Sequence, residues 1–182
     1  MTFPAMRIAA LVLALLAPSL CRADSAAPGA SGPWPSPSGK LLATVRAFPD
    51  PAAPLRTDQA GFQLTIVDPD RLLPPRHDFR GRLLARAAWS PDSRYFVMTT
   101  TGAGGHSPWH FTAYLYCADD RSFHTLDESV GPVLDPAFHF EKDDTLVVTV
   151  GDAAAASNKP GGFIGDFPRA LSVSLRQLFP AN

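Results

Sequence analysis

The sequence predicts an all-β chain of antiparallel strands, and three observations carry that prediction. The 19 prolines among 182 residues are about twice the usual frequency. Asp outnumbers Glu 15 to 2 and Arg outnumbers Lys 13 to 3, so two good helix formers are scarce while a turn former is abundant. Short β-branched or aromatic runs recur along the chain, each preceded by a polar turn. Long helical bundles are excluded. A formal net charge of -1 leaves no electrostatic footprint for nucleic acid or for an anionic membrane surface.

Residues 1–23 read as a secretory signal. Arg7 supplies the basic start, residues 8–17 (IAALVLALLA) the apolar stretch, and Pro18 its end. That stretch is too short for a bilayer, which needs about 20 apolar residues. Cleavage after Ala23 places small side chains at Ala23 and Cys21, the two positions a signal peptidase checks. Lipidation at Cys21 is the weaker alternative, because Leu20 stands where a small residue is expected. The expectation is therefore an exported protein, periplasmic or secreted, with no transmembrane segment after processing. Cys117 is then the one cysteine left, so no disulfide forms within the chain. In AYLYCADD it shares a strand face with Leu115 and reads as a buried small hydrophobe.

Residues 24–38 (DSAAPGASGPWPSPS) have no hydrophobic period and read as a Pro/Gly/Ser-rich arm, leaving residues 39–182 as a single all-β domain. Within it, KLLATVRAF from Lys40, RYFVMTTTG from Arg94 and TLVVTVGD from Thr145 follow the turns SPSGK, SPDSR and EKDD. A second strand follows each run: FQLTIVDPDR from Phe62, AYLYCADDR from Ala113 and RALSVSL from Arg169. The last alternates as a strand, although Leu171, Leu175 and Leu178 would also line a helix face. About 50 residues separate Ser36 from Ser90, Arg71 from Arg121, and Trp89 from Phe138. A period near 50 with about four strands per copy is a propeller-blade signature.

AAWSPDSRYFVM followed by AYLYCADDRSFHTLDE resembles the WD-like repeat of Tol-B-type periplasmic β-propellers, whose blades carry a W-S-P-D-G-[KR] turn and an L-Y-x-x-D strand end. The match is good over residues 87–128, partial over 35–71 and poor beyond 136. Ser93 replaces the usual Gly in the best copy, whereas Gly39 keeps it in the first. A complete propeller has about four to eight blades. Removing residues 1–23 leaves about 160, room for about three units at that period. The expected architecture is an incomplete set of propeller-like repeats with unpaired sheet edges; a β-sandwich or an open twisted sheet is the alternative.

Alternating strand direction assigns the loops to two ends. SPSG, SPDS, EKDD, DPDR and ADDR fall at one end as tight turns. Residues 48–61, 101–110 and 151–168 fall at the other as long loops, where binding residues tend to accumulate. The second of these, GGHSPWHF, offers His106, Ser107, Trp109 and His110 as ligand-binding candidates. His106 and His110 form a candidate transition-metal pair, for which Asp58, Asp152 or Asp166 would have to supply a third ligand. Trp109 beside two imidazoles equally suits a stacking platform.

Catalytic motifs are missing. Gly105 to Trp109 is no nucleophile elbow, because Pro108 follows Ser107 where a backbone N–H is needed. GAGG from Gly102 precedes no helix and is no phosphate loop. The pairs Asp68/Asp70, Asp119/Asp120 and Asp143/Asp144 occupy tight turns and read as turn chemistry rather than calcium or glycosidase sites. His124 and His139 fall on expected strands and His77 in an expected loop. The functional expectation is a non-enzymatic β-repeat protein that binds a protein or cell-envelope component through its long loops. The alternatives are a metal-binding protein using His106 and His110, and a structural subunit or homo-oligomer assembling through open sheet edges.

Overall fold

A computed structural model describes residues 32–48, 60–70, 74–103 and 109–180. Among these residues the chain is all-β, with eleven strands in three antiparallel sheets. The first sheet has the order β1 (Pro33–Pro35), β2 (Leu42–Phe48), β3 (Gly61–Val67), β4 (Arg76–Arg80). The second has the order β5 (Arg82–Trp89), β6 (Tyr95–Gly102), β7 (Thr112–Cys117), β8 (Phe123–Thr125). The third contains β9 (Val133–Phe140), β10 (Thr145–Gly151) and β11 (Pro168–Ser174) in the order β11-β10-β9. Each run taken as a repeat from the sequence is the second strand of its own sheet, and its following strand is the third. Among the described residues the third sheet has no fourth strand.

The sheets stack in sequence order because alternate residues of the middle one face opposite neighbours. Phe96, Met98 and Tyr116 join Ala43, Phe62, Leu64, Ile66 and Phe79 of the first sheet in one core. Tyr95, Val97, Ala113, Leu115 and Cys117 join Phe138, Leu146, Val148 and Val150 of the third in another. Tyr95 through Met98 are therefore all buried, which accounts for a run of four apolar residues without alternation. A β-bulge between Leu84 and Arg86 lets β5 keep Ala87 and Trp89 on the first-sheet side. The outer faces are mostly polar, with Leu42 and Val67 on the first sheet and Val147 on the third as the apolar exceptions. Thr44, Arg46, Gln63 and Thr65 cover the first sheet, with Gln63 donating to Asp78 at 2.9 Å. Thr145, Thr149, His139 and Ser172 lie on the outer face of the third.

Several expectations are corrected. β1 lies inside the region read as an arm: Trp34 pairs with Ala43, and its carbonyl accepts from Trp89 Nε1 at 2.8 Å. The 151–168 loop is not all irregular, since Asp152 caps a short helix, α2 (Ala153–Ser157), by accepting from the Ala155 N–H at 3.0 Å. His77 belongs to β4, stacked on Phe123 at 4.5 Å, rather than to a loop. RALSVSL is a strand through Ser174 and then turns into α3 (Leu175–Leu178), so both readings of its leucines hold in part. A further helical turn, α1 (Asp127–Val130), links the second and third sheets. No helix among the described residues is long and apolar enough to cross a membrane.

Candidate functional site

The tight-turn end is held together by polar contacts. Gly39 and Ser93 occupy the same left-handed position of their turns, at φ 71° and 65°. Serine tolerates that strain because its Oγ accepts the Ser38 N–H at 2.8 Å, joining the first turn to the second. Asp92 accepts from Ser90 Oγ at 2.6 Å and from the Arg94 N–H at 3.2 Å, and Arg94 also pairs with Asp119. Asp68 accepts from the Asp70 N–H. Asp120 accepts from both the N–H and the Oγ of Ser122, and those bonds hold its carboxyl below the ordinary range. Ser174 Oγ does the same for Asp144. The acidic pairs thus serve turns. Among the described residues, no three His, Cys, Asp or Glu side chains are grouped to hold a metal.

Among the described residues the opposite end is built from the connections β4–β5, β6–β7, β8–β9 and β10–β11; the β2–β3 connection, the first of the expected long loops, falls almost wholly outside them. Trp109 and Phe163 meet there edge to face with centroids 4.8 Å apart, yet they remain 45% and 44% exposed. His110 packs its ring on Trp109 at 4.5 Å, and its buried Nδ1 has no hydrogen-bond partner among the described residues. Gly165 makes room for this arrangement, since a Cβ there would stand 2.4 Å from the Phe163 ring. Phe163 sits just before the 3-10 turn Ile164–Asp166. At the same end of the middle sheet, Arg82 donates to Thr112 Oγ1 at 2.9 Å, and Asp127 accepts the Ala113 N–H at 2.8 Å. Burial pushes the Asp127 carboxyl up, and that hydrogen bond, His110 and Arg82 draw it partly back. Arg82 also borders an open cleft of about 360 Å³ lined by His77, Phe79, Tyr114 and Phe123.

Of the four candidate binding residues, Trp109 and His110 stand at this end, while His106 and Ser107 lie outside the described residues. Asp58 lies outside them as well. Asp152 is occupied as a helix cap and stands 3.7 Å from Arg169. Sequence reasoning missed Phe163, Arg82 and Asp127. Only the first carried a visible signal, a large aromatic in a glycine-rich loop. Cys117 is buried and free, with its thiol pushed up by burial, as a core residue should be. No protein-family model matches the chain, and no curated protein is significantly similar to it.

Proposed function

We propose that this is an exported β-repeat scaffold that binds a protein or cell-envelope component at its long-loop end. Each sheet reads as a propeller-like blade of the WD-like kind. The observation that carries the proposal is the Trp109–Phe163 pair: two large rings from separate loops, packed on each other and left half exposed. Aromatic side chains that present area at little conformational cost are the usual anchors of recognition surfaces. Their support comes from hairpins of two adjoining sheets, so the anchors are held before a ligand arrives. The turn chemistry of the paired acids, together with the failed nucleophile and phosphate motifs, favours binding over catalysis.

The test pairs export with binding. N-terminal sequencing of the protein from the exported fraction should begin at Asp24. Chemical crosslinking in the same compartment should then capture one dominant partner, and Trp109→Ala with Phe163→Ala should lower its recovery at least about tenfold, the loss of a few kcal/mol expected of an anchor pair. Unchanged recovery from the double variant would place the binding surface elsewhere.

A further inference from the structure

Among the described residues the third sheet has three strands where the other two have four, which leaves a strand position open beside β11. Three sheets have six edge strands, and five of these are blunted in ways that discourage further pairing. β1 is three residues long with prolines at Pro33 and Pro35. β4 carries Arg76, Asp78 and Arg80. β5 has its bulge and two arginines, and β8 is three residues long. β9 is interrupted by Pro136, whose carbonyl is already taken by Thr99 Oγ at 2.9 Å. β11 has no bulge, its proline is its first residue, and Arg169 is its one charge.

The register shows which backbone groups β11 offers. Asp152 N–H donates to the Phe167 carbonyl and Leu175 N–H to the Asp144 carbonyl, both at 2.8 Å. The odd-numbered residues from 167 to 175 therefore face β10; Ala170 and Ser172 direct both N–H and C=O to the free edge, and Ser174 directs its N–H there while its carbonyl, as the N-cap of α3, already accepts the first bond of that helix. Among the described residues none of these three N–H groups has a backbone partner away from β10. Ala170 and Ser172 are exposed and small, so a neighbouring strand can approach closely.

We infer that β11 pairs antiparallel with β11 of a second copy of this chain, joining two third sheets across a twofold axis at Ser172. In that register Ser172 faces Ser172 of the second copy and Ala170 faces Ser174, which gives about four backbone hydrogen bonds between free groups by the antiparallel pattern, with the Ser174 carbonyls taking the Ala170 N–H groups as second donors beside α3. Arg169 falls opposite Leu175 and no like charges meet. The same pairing through β4 would set Asp78 against Asp78. The chain outside the described residues supplies no better occupant. Residues 49–59 contain Pro49, Pro51 and Pro54, residues 24–31 are small with Pro28, and the apolar stretch 8–17 belongs to the signal. This interface is separate from the long-loop end and does not depend on the binding reading.

Sedimentation equilibrium of the full chain over a range of concentrations should give twice the chain mass, and amide exchange at 170, 172 and 174 should slow as concentration rises. Ser172→Pro and Ala170→Pro each remove an outward N–H while leaving every bond to β10 in place. Each should halve the mass with an unchanged far-UV circular dichroism spectrum. A monomer at all concentrations, a dimer that survives both substitutions, or exchange at 170, 172 and 174 independent of concentration would overturn the inference. The exchange measurement decides the matter should either variant fail to fold.

Discussion

The meeting of Trp109 with Phe163 joins the β6–β7 and β10–β11 connections, and a double-mutant cycle measures that contact directly. Edge-to-face pairs contribute about 0.5–1.5 kcal/mol beyond the area they bury. Both rings are nearly half exposed, which places the expected coupling in the lower part of that range, about 0.5–1 kcal/mol. The proteins required are the wild type, Trp109→Ala, Phe163→Ala and the double variant. Each should be unfolded in urea and followed by far-UV circular dichroism, because removing Trp109 alters the fluorescence baseline. The double variant should be less destabilised than the sum of the single ones by the coupling energy. A coupling under about 0.3 kcal/mol, the scatter found for independent sites, would show that the two loops act separately and would remove the anchor pair from the binding argument.

Three further outcomes follow from the geometry. Ser93→Ala should destabilise the protein by about 1 kcal/mol more than Ser93→Gly, because both lose the bond from Ser38 but only glycine relieves the left-handed φ; equal urea midpoints would contradict this. Cys117 should react with iodoacetamide at pH 8 at least about tenfold more slowly in the native chain than in urea, since burial keeps the thiol protonated and covered. The Asp127 carboxyl is raised in the folded state, so its contribution to stability is present below the unfolded value of about 3.9 and is lost as pH rises through the folded one. Asp127→Asn, whose Oδ1 can still accept from Ala113, should flatten the decline in urea midpoint across that acidic range; a decline as steep as the wild type's would sink the assignment.

The strands were legible wherever an apolar run met a polar turn, because both signals are local. Leu146, Val148 and Val150 alternate inward in β10, and the SPDS turn before Tyr95 holds the backbone that such a turn requires. The departure at Ser93 was visible in the sequence, but its compensation by Ser38, 55 residues away, was not. Asp152 followed by four alanines is a helix start that the surrounding glycines and prolines obscured. The five-residue β4 was hidden by its charges, so His77 looked like a loop residue. At the candidate site Trp109 and His110 stood out by residue type. Phe163 could not, because its importance comes from an edge-to-face contact between two hairpins and not from any spacing along the chain.

The described residues form three open sheets, and the arrangement of polarity shows how that stack ends. A sheet inside a stack must be apolar on both faces, as Phe96 and Met98 on one side and Tyr95 and Val97 on the other make the middle sheet. A sheet at the end of a stack needs one apolar face only. Apart from Leu42, Val67 and Val147 the outer faces carry residues that water solvates well, Thr44, Gln63 and Thr65 on the first sheet and Thr149, His139 and Ser172 on the third, so a fourth sheet would bury polar groups without partners. Growth by stacking is therefore disfavoured at both ends. Extension of a sheet within its own plane meets no such cost, because the pairing groups of an added strand satisfy those of the edge it joins. With five edges blunted among the described residues, β11 is the edge through which the proposed assembly would run, and that arrangement leaves the long-loop end accessible in each copy.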